Sequence, residues 1–294
     1  MGHGIALTFA RAGHEVCLTD PDAEMLASTH ARIAESMRLL GAGEDEVADS
    51  LVRVRLCNEM SNVVATADVV FEAAPEKLEL KQRIFADIEA HAPADAILAS
   101  NTSVIQISKI MGGLKSRHRA LGTHWWNPPH MIPLVEVVKT EWSDPALAQA
   151  MFDLLAGAGK TPVIVEKDVP GFIGNRLQHA LWREAVSLVE NGICTAQAVD
   201  DVVKASFGRR LAVLGPMENA DLVGLELTQD IHNQVLFDLE TSPKPSPHLQ
   251  TMMDQGRTGM AAGAGLRDWK DGDLEATKTR VAQHLKQLEK ILPN

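Results

Sequence analysis

The chain has 294 residues, 45% of them hydrophobic and 23% charged, with a net charge of −11. This ordinary globular composition is long enough for two domains, and its acidity argues against nonspecific binding to nucleic acid or an anionic membrane surface. There is no apolar run of the ~20 residues that span a bilayer, no basic-then-apolar leader and no tyrosine, so a tyrosine acid is excluded. Cys17, Cys57 and Cys194 are too few and too distant in sequence for a disulfide framework or zinc site, which predicts a reducing, cytoplasmic setting.

The first stretch, "MGHGIALTFARAGHEVCLTD", reads as a helix followed by a strand. Ile5, Ala6, Phe9 and Ala10 recur at helical spacing, Gly13 ends the pattern, and Glu15 to Thr19 form a short strand closing on Asp20. This is the second half of a dinucleotide-binding βαβ unit, in which a strand and a G-x-G-x-x-G turn precede the helix. Gly2 and Gly4 open the helix, whose free N–H groups suit a pyrophosphate. Asp20 stands 18 positions after Gly2. The fingerprint places an acid for the adenosine ribose hydroxyls about 20 residues on, which favours NAD over NADP. Half a fingerprint alone reads equally as a helix that begins with small residues.

A helix is expected from about Pro21 to Leu40, then a glycine-flanked arm carrying Glu44, Asp45 and Glu46. Val69 to Phe71 form a buried strand, a helix runs from Leu78 to His91, and strands follow at Ala96–Ala99, Ala120–Thr123 and Leu134–Val138. A helix over Pro145–Ala158 leads to a strand at Pro162–Val165. Strands alternating with helices predict an α/β, Rossmann-like, mostly parallel sheet. After Pro170-Gly171 the pattern turns almost wholly helical, with Leu177, Leu181, Ala185, Leu188 and Val189 as a core stripe. The expected division is 1–168 for a nucleotide-binding domain and 169–294 for a helical substrate and dimerisation domain. The tail from Leu274 to Leu292 is amphipathic.

Three further stretches carry chemistry. In "ASNTSVIQIS", Asn101, Thr102 and Ser103 follow a buried strand, where ligands bind in open α/β sheets, although small polar residues there also cap helices. In "LGTHWWNPPHMIPLVEVV", His124 ends one strand and Glu136 lies twelve residues later in another. An imidazole near pH 7 accepts a hydroxyl proton as hydride leaves the same carbon, and a carboxylate on its other nitrogen fixes the tautomer. Taken singly, the two read as a packed histidine and a surface acid. No compact ligand cluster accompanies His124 and His130, so no metal is expected. In "DVPGFIGNR", the Asn175 amide is placed to polarise a carbonyl or simply to start a helix.

Together and in this order, these stretches resemble the 3-hydroxyacyl-CoA dehydrogenase family over nearly the whole chain. Met1 to Ala6 is similar to the Met-Gly-x-Gly-Ile-Ala continuation of its glycine turn. His124-Trp125-Trp126-Asn127-Pro128 with Glu136 is similar to its H-F-F-N-P motif, and Pro170 to Arg176 to its P-G-F-x-x-N-R motif. "GPMENADLVGL" and "GRTGMAAGAGLRDW" resemble its second domain. The resemblance implies NAD-dependent oxidation of an L-3-hydroxyacyl-CoA in fatty acid metabolism. His124 is then the general base, oriented by Glu136. Ser103 and Asn175 hold the substrate oxygen, supported by Asn127. Gly2, Gly4, Asp20, Glu76, Lys81 and Asn101 meet the cofactor. A homodimer is also implied.

Two features point to another branch of the family. Members acting on CoA thioesters commonly carry lysines in the arm after the second strand, near the CoA phosphates. Here the first lysine of the chain is Lys77 and the arm is acidic, with Arg32, Arg38, Arg53 and Arg55 as its cations. "NPPHMIPLVEV" and "FGRRLAVLGPME" resemble gulonate dehydrogenase, its lambda-crystallin relative and a pyridine-carboxylate dehydrogenase. In that branch Arg209 and Arg210 meet a substrate carboxylate or form a solvated basic turn. The alternatives are therefore a free 3-hydroxy carboxylate substrate and, as the crystallin likeness allows, a noncatalytic relative. The family's first strand and two glycines precede the methionine matched by Met1. The expectation is a native chain starting about ten residues upstream, and weak NAD binding without that segment.

Overall fold

The structure is a computed structural model that describes residues 1–292. It divides into two compact units, Met1–Arg176 together with the stretch that starts at Leu285, and Leu177–His284.

The first unit opens with α1 (Gly2–Arg11), β1 (Val16–Leu18), α2 (Ala23–Ala27), α3 (Thr29–Leu40), α4 (Glu44–Val52), β2 (Val54–Leu56) and α5 (Met60–Val64). It continues with β3 (Val69–Glu72), α6 (Leu78–His91), β4 (Ile97–Ser100), α7 (Ile107–Met111), β5 (Ala120–Trp125), β6 (Leu134–Lys139), α8 (Pro145–Gly157) and β7 (Thr161–Val165). β3 to β7 form one sheet in sequence order, parallel except for the β5–β6 pair. β1 and β2 form a separate parallel pair. Helix α1 packs beside both sheets. Its Ile5 and Phe9 join a cluster with Ile97, Leu121 and Trp125, against which Val16 and Val69 also pack. Its Ala6 and Ala10 join Ile33, Met37 and Val54 in another. The single apolar helix thereby gives the two sheets a common core.

Two local expectations are corrected, and one strand was not anticipated. The helix expected from Pro21 is two helices. Asp22 caps α2 by accepting from the N–H groups of Glu24 and Met25, and the chain breaks at Ser28, whose hydroxyl donates to the Met25 carbonyl. The acidic arm is helix α4, with Glu44, Asp45 and Glu46 in the first turn, where carboxylates favour the helix dipole. The strand β2 after it is too short to stand out from its flanks by periodicity.

The second unit holds most of α9 (Gly174–Glu190), then α10 (Ala196–Ala205), α11 (Pro216–Val223), α12 (Leu225–Val235), α13 (Pro247–Asp254) and the start of α14 (Asp273–Ile291). Its apolar stripe is not buried: Leu177, Leu181 and Trp182 are exposed, as are Leu222, Leu225 and Phe237. No helix among the described residues is long and apolar enough to cross a membrane.

Candidate active site

The site is built at the C-terminal ends of β3, β4 and β5. A cleft of about 480 Å³ opens there, lined by Met1, Ala73, Ala74, Glu76, Asn101, Ser103, His124, Trp125, Trp126, Asn127 and Asn175. Strand ends in an open sheet leave backbone groups unpaired and loops free to turn, which is why ligands settle there.

His124 and Glu136 are register partners across the antiparallel β5–β6 ladder. Twelve residues apart in sequence, they meet because the intervening "WWNPPHMIPLV" returns the chain alongside itself. The His124 Nδ1 lies 2.6 Å from Glu136 Oε2, and both side chains are buried. The other carboxylate oxygen accepts the N–H groups of Ile173 at 2.8 Å and Gly174 at 3.0 Å. Those donors are aimed by a left-handed turn at Gly171 (φ 75°) and Phe172 (φ 52°). A non-glycine residue in that region is held there at a cost. Burial raises the Glu136 pKa, but the bonds from His124, Gly174 and Ile173 outweigh it and leave the carboxyl below its ordinary value. An ionised Glu136 accepts a proton-bearing Nδ1, so neutral His124 presents a basic Nε2.

Glu76 organises the serine loop. Its Oε1 accepts from the Thr102 hydroxyl at 2.5 Å and from the N–H groups of Ser103, Val104 and Ile105 at 3.1, 3.1 and 3.3 Å. Burial raises its pKa, and these bonds with nearby Lys81 more than offset that. Asn101 accepts the Trp125 N–H at 3.0 Å, tying the ends of β4 and β5 together. Asn175, at the start of α9, donates to the Ser103 carbonyl at 2.9 Å. His124, Ser103, Asn175, Asn127, Glu76 and Asn101 thus border one cleft.

Other residues singled out in the sequence lie elsewhere. Lys81, expected at the cofactor, is 0% exposed and does not line the cleft. Its ammonium donates to Glu72 Oε1 at 2.7 Å and Oε2 at 3.0 Å and to the Ala74 carbonyl at 3.1 Å. Ser100 and the Ala74 N–H complete the shell of Glu72. Lys81 shapes the alanine turn that lines the cleft. Gly4 is buried under Pro129, whose Cγ lies 2.5 Å from where a Cβ would stand, so its role is close packing. Gly2 faces open space at the N-terminus of α1, a first turn without acids. Asp20 follows β1, with one carboxylate oxygen accepting the Asp22 N–H at 2.9 Å. An acid-free helix start and a carboxylate after the next strand fit the pyrophosphate and ribose of a dinucleotide.

Ala73, Ala74 and Trp126 line the cleft without having been singled out as site residues. Their available signal was the pair of small residues after a strand, where a backbone can approach a ligand, and the aromatic next to His124. Trp126 packs 5.2 Å from the His124 ring and directly against Gly174, where a Cβ would collide with the indole.

A Rossmann-like sheet, a dinucleotide-type helix start and a buried His–Glu pair opening on a cleft define the class of NAD-dependent oxidoreductases. Residues 1–169 match the model described as 3-hydroxyacyl-CoA dehydrogenase, NAD binding domain, and residues 171–269 match that family's C-terminal domain. The chain belongs to the 3-hydroxyacyl-CoA dehydrogenase family. It is 33% identical to 5-formyl-3-hydroxy-2-methylpyridine 4-carboxylate 5-dehydrogenase of Mesorhizobium japonicum, over 99% of this chain and 95% of that protein. It is 34% identical to mitochondrial hydroxyacyl-coenzyme A dehydrogenase of Homo sapiens, over 92% of this chain and 88% of that one. A crystal structure described as an NAD+-dependent dismutase, the dehydrogenase of the same pyridine carboxylate, superposes with a TM-score of 0.91 at 31% identity, covering 99% of this chain and 94% of that one.

Proposed function

We propose that the protein is an NAD-dependent dehydrogenase of a small hydroxyl compound bearing a free carboxylate, rather than of a CoA thioester. The observation that carries the choice is the charge pairing of α1 and α3 with α4. Arg38 grips Glu44 through two bonds of 2.7 and 2.8 Å, and Arg11 pairs with Glu46 at 2.7 Å. Arg53 donates to the Asp49 carbonyl. Arg38 and Arg11 are engaged by local acids and Arg53 by a backbone carbonyl, so they have less to offer CoA phosphates, and the remaining carboxylates of α4 repel those phosphates. The similarity to a pyridine-carboxylate dehydrogenase supports the same reading. The CoA thioester is the second reading, supported by the similarity to the human acyl-CoA enzyme.

Bound NAD supplies the acceptor for the hydride. In this mechanism His124 Nε2 takes the hydroxyl proton as the carbon–hydrogen bond breaks, and Glu136 stabilises the imidazolium that results. Ser103 and Asn175 hold the reacting oxygen, with Asn127 beside them. Glu76 keeps the Ser103 loop in place, and the buried Lys81–Glu72 pair keeps the Ala73–Ala74 turn in place. In the reverse direction His124 returns the proton.

The reading is tested by following NADH absorbance with acetoacetate and, separately, with acetoacetyl-CoA. Turnover of the free acid alone is expected. Turnover of the thioester with none of the free acid moves the protein to the CoA branch. A noncatalytic relative turns over neither.

We further propose a homodimer formed through the second unit. Its helices expose Leu177, Leu181, Leu222, Leu225 and Phe237, and among the described residues no hydrophobic side chain beyond Phe172 is fully buried. A helical unit without a core of its own needs a partner surface to bury its apolar face.

A further inference from the structure

Cys17 and Cys57 are distant in sequence, and the cysteine count alone suggests no pairing. The fold overturns that separation: their sulfurs stand 2.8 Å apart across 40 residues of chain. Cys17 is the middle residue of β1 and has Arg55 as its ladder partner. Cys57 directly follows β2, and its N–H donates to the Leu18 carbonyl at 2.9 Å. Residues two apart on a strand share a face, so Cys57 continues the side on which Arg55 meets Cys17. Both thiols are half-buried, which leaves them within reach of a small reagent. No third histidine, cysteine or carboxylate joins them as a metal group among the described residues. The pair sits in the two-stranded sheet, which is hydrogen-bonded to no strand of the larger one. Asp20 follows three residues after Cys17.

We propose that Cys17 and Cys57 form a reversible dithiol–disulfide site, oxidised by a low-molecular-weight disulfide and tying β1 to the segment after β2. With glutathione disulfide as oxidant, Cys57 releases its proton, its thiolate attacks one glutathione sulfur, and the other glutathione leaves as a thiolate that takes up a proton. The Cys17 thiol then gives up its proton, and its sulfur attacks the Cys57 sulfur and expels the second glutathione. Two protein thiols are oxidised and one small disulfide is reduced to two thiols. Cys17 is assigned the resolving role because burial, with Cys57 beside it, pushes its thiol up to about 11, which makes it a poor first nucleophile at neutral pH. Arg55 opposes that rise and favours the thiolate in the closing step.

The test is to incubate the folded full chain with glutathione disulfide, block free thiols with iodoacetamide, and map the cysteines by mass spectrometry. The expected product is a Cys17–Cys57 cross-linked peptide lighter by two hydrogens, reversed by dithiothreitol, with Cys194 alkylated. Closure accelerates as the pH is raised. In Cys17→Ser, glutathione stays on Cys57. Wild-type protein that keeps all three thiols free, or that joins either cysteine to Cys194, overturns the proposal. The mapping needs no variant to fold and does not depend on which substrate the enzyme takes.

Discussion

His124 and Glu136 face each other as register partners on β5 and β6, with Nδ1 and Oε2 2.6 Å apart. A strand ladder holds this distance, so the pair is set before any substrate arrives. His124→Asn removes the proton acceptor and is expected to lower kcat by about 10²- to 10⁴-fold with little change in NADH affinity. Glu136→Gln keeps the shape but not the charge that supports an imidazolium, and a loss within the same rough range is expected. Steady-state kinetics with fluorescence titration of NADH checks both. Unchanged kcat in His124→Asn removes the assignment.

Gly174 is the place where Trp126 lies against the backbone. Gly174→Ala displaces the indole, which packs beside His124, and is expected to cost about 1–3 kcal/mol in stability, together with activity. Adding Trp126→Phe relieves the collision and restores part of both. Thermal unfolding and turnover of the two variants test the relation. If the double variant recovers nothing, Trp126 is not the obstacle.

Lys81 is fully enclosed with Glu72. Removing one partner of a buried ion pair strands the other charge, so Lys81→Met is expected to cost about 3–5 kcal/mol. Urea unfolding gives the cost directly. A stable variant with a much weaker NADH affinity contradicts this placement and returns Lys81 to the cofactor.

Stability is expected to fall in acid. For Glu76, Glu89 and Glu136 burial raises the pKa, and accepted hydrogen bonds override it, so all three stay below the ordinary 4.5. The folded state then binds fewer protons than the unfolded chain. Its advantage is complete above that value and is lost as the pH falls through the lowered values. Urea midpoints across the acid range measure this, and Glu89→Gln, whose carboxylate accepts from Lys115 and Ser116, is expected to flatten the curve. A wild-type midpoint that holds steady from about pH 5 to pH 3 contradicts it.

Phe237 is 81% exposed and Leu222 72%. If the second unit buries its apolar face in a homodimer, Leu222→Asp with Phe237→Asp yields a monomer with a lower unfolding temperature. Sedimentation of the wild type and the double variant decides this. A monomeric wild type ends the dimer proposal.

Residue patterning alone was enough to order the strands and the long helices between Val69 and Val165, because each is long or apolar enough for its period to show, whereas the five-residue α7 and the separate helices after Gly174 were not distinguished. Leu78–His91 and the strand containing Glu136 were legible for that reason. Linear motifs also marked His124, Glu136, Ser103 and Asn175. The three-residue β2 and the break at Ser28 were not legible, since β2 has an arginine at its centre and no turn signal directly before it, and the break rests on a local hydroxyl-to-carbonyl bond. What each marked residue touches was set by contacts formed in three dimensions. It brought Cys17 to Cys57, enclosed Lys81 and turned the N–H groups of Ile173 and Gly174 onto Glu136. Those outcomes depend on contacts between residues far apart in the chain, and spacing along a sequence does not encode which of many distant partners a buried polar group will find.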